Sequence, residues 1–145
     1  DIGNYRNGEL DGLVEIFHKN GNIFQSWSFK NSQYHGPSAM YDLSGNLTLK
    51  GGYKNGEEEG LWESFHRNGN LEGTSFFING KQQGLSESFY ENGVIKSVGN
   101  VDGDMRVGKI DLTKKIGTWK YYTEDGKSLK TEFYENGELV KTISD

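Results

Sequence analysis

Apolar and polar residues alternate in short runs along this chain. LVEIFHK (13 to 19) and NIFQSWSF (22 to 29) carry strand-forming residues and are too short for helices. Seven Asn-Gly dipeptides punctuate the runs. Asn and Gly accept the positive φ of tight hairpin turns, so Asn-Gly between alternating runs predicts antiparallel hairpins. The runs also recur. Gly12, Gly36, Gly60 and Gly84 stand 24 residues apart, with Gly108 on the same beat, and Gly21, Gly45, Gly69 and Gly93 keep a second beat of equal period. A fixed period of this length means one supersecondary unit copied in tandem, here with two strands per copy. Copies start near Gly12, Gly36, Gly60, Gly84 and Gly117, residues 1 to 11 form a partial N-terminal copy, and 1 to 145 make a single array. The beat breaks once, at the insertion GKIDLTKKI (108 to 116).

Register follows if each first turn is a three-residue loop such as Lys19-Asn20-Gly21, with its glycine left-handed. Phe17 then faces Ile23, Tyr41 faces Leu47, Phe65 faces Leu71 and Phe89 faces Ile95. Such aromatic-to-aliphatic pairs contribute roughly 0.2 to 1 kcal/mol each. A two-residue loop would set Phe65 against Glu72 and Phe89 against Lys96, and is rejected. In the fifth copy Ser128 takes the aliphatic position and Leu129 the next, which predicts a shifted register or a bulge there. Residues two after the first glycine, Val14, Ser38, Trp62, Ser86 and Trp119, lie on the face opposite the aromatic stripe and vary between copies. The stripe carries the folding load, and the variable face is where a ligand distinguishes this array from another.

The repeat G-x-W-x-x-F/Y-x-x-N-G-x-L, continuing to Y-x-N-G-x-x-x-G, resembles the membrane occupation and recognition nexus (MORN) repeat in its bacterial variant form. GLWESFHRNGNLEGTSFFINGKQQG (60 to 84) matches best and GTWKYYTEDGKSLKTEFYENGEL (117 to 139) next; departures are Ser32 and Asp104 at turn glycines, Pro37 after Gly36, and the insertion. The resemblance implies an all-β, elongated, twisted antiparallel meander of tandem β-hairpins, about five repeats in a single-layer or curled sheet. It also implies scaffold roles: protein contacts, occasional membrane association and, in bacteria, an antitoxin-like component. None of these roles is tied to fixed residues.

Composition narrows the chemistry. Only 32% of residues are hydrophobic, so a large dry core is not expected, and the apolar surface is concentrated in the rings that make up 13% of the chain. The net charge of −5, with no basic run longer than Lys114-Lys115, argues against nucleic acid. No cysteine is present, which removes thiolate and disulfide chemistry. The start at Asp1 without methionine predicts a processed or trimmed product, exported or at a cell surface rather than cytoplasmic. His18 and His66 share a repeat slot too far apart for one metal, and His35 sits in a turn. Glu57, Glu58 and Glu59 read as a solvated acidic edge, and GNYRNG and GGYKNG read as hairpin turns rather than phosphate loops. No enzyme, metal or cofactor is expected.

Rings outside the stripe outnumber what one packed face needs. Trp27, Trp62, Trp119, Phe24, Tyr90 and Tyr121 are candidate contacts for a protein partner, or else a second, smaller core. Lys109, Lys114 and Lys115 form a candidate basic loop. The expected function is non-enzymatic protein binding through an aromatic-bearing face. A structural spacer or stalk and a membrane-associated, lipid-binding module stand as rivals.

Overall fold

The computed structural model describes residues 2–104, 106–107, 110–111 and 113–145. All of its regular structure is strand: β1 (Ile2–Arg6), β2 (Glu9–Phe17), β3 (Ile23–Lys30), β4 (Gln33–Tyr41), β5 (Leu47–Lys54), β6 (Glu57–Glu58), β7 (Gly60–Phe65), β8 (Leu71–Ile78), β9 (Lys81–Phe89), β10 (Ile95–Asp102), β11 (Arg106–Val107), β12 (Ile110–Asp111), β13 (Lys114–Tyr122), β14 (Ser128–Glu135) and β15 (Glu138–Ser144). Thirteen of these form one open antiparallel sheet in chain order, and β11 pairs with β12 apart from it. Among the described residues no second layer covers either face. Among the described apolar residues only Val101 and Trp119 are buried, and most others are half-buried.

Two kinds of turn alternate. Asn7-Gly8, Asn31-Ser32, Asn55-Gly56, Asn79-Gly80 and Asn136-Gly137 all have positive φ at both residues, the geometry of two-residue hairpin turns that match strand twist. Their tips also join neighbouring hairpins, as where the Gly56 N–H donates to the Tyr34 carbonyl at 2.8 Å. The other kind is the three-residue loop read from the sequence. His18 N–H donates to Asn22 O at 2.8 Å, Gly21 N–H donates to His18 O at 3.0 Å, and Gly21 has a φ of 89°. Phe17 lies opposite Ile23, Tyr41 opposite Leu47, Phe65 opposite Leu71 and Phe89 opposite Ile95, as expected.

The fifth copy corrects one expectation. Tyr122 lies opposite Ser128 in the register of the other copies. The bulge predicted there alone occurs everywhere: after each three-residue turn the departing strand carries one unpaired residue, Phe24, Thr48, Glu72, Lys96 and Leu129 in turn. Because side chains alternate between faces, this single extra residue reverses the facing of everything beyond it. Gln25, Trp27 and Phe29 therefore point to the same side as Ile16, Val14 and Gly12, which they oppose.

The glycines of the first beat have a different task. Gly12, Gly36, Gly60, Gly84 and Gly117 all have positive φ inside or at the start of a strand. Beside Gly36 the register slips from Trp27 opposite Ser38 to Phe29 opposite Tyr34. A side chain there would bear the left-handed penalty, so the beat records a backbone bend. Pro37 is tolerated because it follows this irregularity, where a ladder N–H is dispensable.

The break in the beat is displaced from its position in the sequence reading. Lys114, Lys115 and Ile116 are ordinary residues of β13, opposite Asp102, Val101 and Asn100. The extra residues therefore lie between Asp104 and Lys114.

Candidate functional site

The sheet has two unlike faces. On one lie the stripe rings Phe17, Tyr41, Phe65 and Phe89; on the other, which we call the indole face, lie Trp27, Trp62 and Trp119. Across the indole face one row reads Val14, Trp27, Ser38, Gly51 and Trp62, then Ser75, Ser86, Gly99, Trp119 and Glu132. Small residues separate the indoles. A Cβ added at Gly51 would fall 2.1 Å from the Trp62 ring, and one at Gly99 would fall 2.3 Å from Trp119, so each indole lies flat on a glycine of the preceding strand. The variation seen at this position is thus a large-to-small complement between adjacent strands.

The rings form two groups. Phe29, Tyr34, Tyr53, Trp62 and Phe77 run across the sheet with successive centroids 4.7, 5.1, 5.3 and 6.2 Å apart, and Trp27 joins at Tyr34 at 6.1 Å. Trp62 meets Tyr53 edge to face at 87°. Apart from the exposed Tyr34 these rings are half-buried, and they form an open ridge rather than a closed second core. Trp62 lines a groove of about 410 Å³ with Tyr53, Glu58, Ser75, Phe77 and Ser86. Its indole N–H is buried and has no acceptor among the described residues. At the same repeat position the Trp119 N–H donates to the Asn100 carbonyl at 2.9 Å. The carbonyl equivalent to Asn100 is that of Gly52, and it already accepts from the Glu59 N–H at 2.9 Å. Glu58 has no ion-pair partner among the described residues. Burial first, and then its negative charge, raise the pKa of Tyr53 beside it.

The second group lies around Trp119, which is only 5% exposed. Lys115 places its ammonium 4.5 Å from the Trp119 ring centroid, 5.2 Å from Tyr121 and 5.5 Å from Tyr134, and donates to the Tyr121 hydroxyl at 2.6 Å. Lys130 donates to Glu132 at 2.7 Å and stands 4.7 Å from the Tyr121 ring; the Tyr134 hydroxyl donates to the other Glu132 oxygen at 2.8 Å. The Lys130 ammonium and then the tyrosine hydroxyls hold the Glu132 carboxyl down at about 2. Burial and the same carboxylate push both tyrosine hydroxyls up. This box is filled and fully paired.

The sequence-chosen residues do not all meet. Trp27, Trp62, Trp119 and Tyr121 share the indole face, the first two in the ridge and the last two in the box. Phe24 is a bulge residue on the stripe side, with its ring 4.9 Å from His18. Tyr90 sits just beyond β9 and ties two hairpins together, its hydroxyl donating to the Tyr122 carbonyl at 2.9 Å. His18 and His66 do the same from the same slot, through ring N–H bonds to Tyr41 O and Phe89 O at 3.2 and 2.9 Å. Lys114 and Lys115 do not form a loop. As neighbours in a strand they face opposite sides, Lys115 into the box and Lys114 over the Asn136-Gly137 turn. Lys109 lies outside the described residues. Tyr53, Phe77 and Glu132 were not chosen as site residues, and Glu58, read from the sequence as part of a solvated acidic edge, lines the groove instead. Tyr53 and Phe77 were visible as a recurrent aromatic slot, but without the bulge their face was unreadable.

Among the described residues no three potential ligands gather as a metal site, and no helix is long and apolar enough to cross a membrane. Among curated proteins none matches this chain. The family model described as MORN repeat variant matches residues 10–31, 58–79, 82–102 and 115–136. Each match takes in a first-beat glycine and the strands around it. Repeats of this kind are in general non-catalytic interaction modules for proteins and membranes. With more than half of its residues matched, in four of its five copies, the chain belongs to the MORN repeat variant family.

Proposed function

We propose that this chain is a single non-enzymatic array that holds a protein partner on its indole face, seated at the Trp62 groove. One observation carries the reading. The Trp62 indole N–H is buried without an acceptor among the described residues, a condition that costs about 1–3 kcal/mol and that a partner's carbonyl oxygen relieves once the ring turns toward it on docking. Tyr53 and Phe77 flank it as rigid rings, the kind of residue on which binding energy concentrates. Trp119 is already buried, paired and capped by Lys115, and serves the array rather than the partner. Capture from extracts of the source cells tests the reading. Trp62→Phe retains the ring and removes the donor, and is expected to lose the partner about tenfold; Trp119→Phe, if folded, retains it. Identical partners for wild type and Trp62→Ala refute the role of this face.

Membrane association draws on a different observation, the exposed row Leu61, Phe76 and Leu85 on the stripe face. The net charge of −5 opposes adsorption to an anionic bilayer. Co-sedimentation with anionic liposomes at low salt tests it, and no binding removes it.

A further inference from the structure

The repeat supplies its own comparison. In the register of the array, Lys115, Trp119 and Tyr134 occupy the positions held by Glu58, Trp62 and Phe77. Two sites of one design therefore stand on the same face, each with an indole laid over a glycine and an aromatic ring on the following strand. They differ in charge. In the Trp119 site a cation is built into the chain, with the Lys115 ammonium 4.5 Å from the indole and 5.5 Å from Tyr134. In the Trp62 site that position carries a carboxylate, Glu58, which lines an open groove of about 410 Å³ with the rings still present.

We infer that the Trp62 groove binds the ammonium or guanidinium group of a lysine or arginine side chain, presented by a basic segment of a protein partner. The inference rests on the reading that this groove seats a partner and names the chemistry it selects. Three features converge. The faces of Trp62 and its neighbouring rings attract a cation, as the Trp119 site demonstrates with Lys115. Glu58, unpaired among the described residues, supplies the opposite charge. The orphaned indole N–H supplies a donor for the main-chain carbonyl of the same segment. The Trp119 site is the self-satisfied version, closed to ligands by Lys115.

The experiment follows the three indole N–H signals of ¹⁵N-labelled protein, with Trp62 and Trp119 assigned by their loss in W62F and W119F. The probes are blocked tetralysine and tetraarginine, with tetraglutamine and tetraglutamate as controls. The basic peptides are expected to move the Trp62 signal and leave Trp119 in place. Glu58→Gln, at a half-exposed position, should weaken this binding roughly three- to tenfold. Lys115→Ala removes the built-in ammonium and opens the second box, and the Trp119 signal should then respond as well. A Trp62 signal that ignores the basic peptides, follows tetraglutamine equally, or titrates unchanged in Glu58→Gln overturns the inference. Should Trp62→Phe lose the captured partner while basic peptides leave Trp62 unmoved, only the cation assignment fails. If the peptides bind but capture is indifferent to Trp62, it is the partner reading that fails.

Discussion

Gly51 offers the sharpest test of how the indole face is built. A methyl group at this position would lie 2.1, 2.3 and 2.6 Å from three atoms of the Trp62 ring. Carbon contacts settle at roughly 3.5–4.0 Å, so the indole must lift by about 1.5 Å and give up the surface it covers. Overpacking of this kind costs about 1–3 kcal/mol. Against it stands a gain of about 0.4–1 kcal/mol, since alanine restricts the unfolded chain and Gly51 has no left-handed φ to forbid it. Gly51→Ala should therefore destabilise by about 1–2 kcal/mol in urea unfolding followed by far-UV circular dichroism. In a Trp62→Ala background the clash disappears and only the gain remains, so the same substitution should become neutral or stabilising. The coupling between the two positions is then about 2 kcal/mol. An equal cost of Gly51→Ala in both backgrounds would refute the argument that the indole is what requires glycine.

Gly21→Ala provides a contrast: nothing lies within 4 Å of the added methyl, but φ is 89°, so a loss of about 1 kcal/mol should be seen whatever happens at any tryptophan. Tyr90→Phe removes the hydroxyl that bonds the Tyr122 carbonyl and should cost about 1 kcal/mol while leaving partner capture intact. Glu132 gives a pH signature. Its folded value of about 2 lies below the ordinary 4.5, so its contribution, about 1–3 kcal/mol, is present above pH 4.5 and is lost as pH falls toward 2. Comparison of acid unfolding for wild type and Glu132→Gln isolates it, and parallel curves between those values would contradict the assignment.

Much of the fold was legible because turns are local. Asn-Gly pairs accept positive φ wherever they stand, and the three-residue loop fixed Phe17 opposite Ile23 without reference to the rest of the chain. The site was less legible. Trp27 and Trp62 were chosen as surplus rings, yet Phe24 and Tyr90 were chosen on the same ground and lie elsewhere. Facing depends on a bulge that leaves no mark in composition, since Phe24, Thr48, Glu72, Lys96 and Leu129 share no chemistry. The pairing of Lys115 with Trp119 was hidden for a related reason. Counted within an insertion, Lys115 had no strand position and so no face.

The sequence by itself determined the period, the hairpin turns, the pairing beside the three-residue turn in four copies and the family, because each follows from backbone preferences within a few residues. Only the tertiary structure decided which rings share a face, which indole donor is left unpaired and which lysine fills a box. Those outcomes depend on register between strands, where one unpaired residue turns every later side chain to the other side of the sheet.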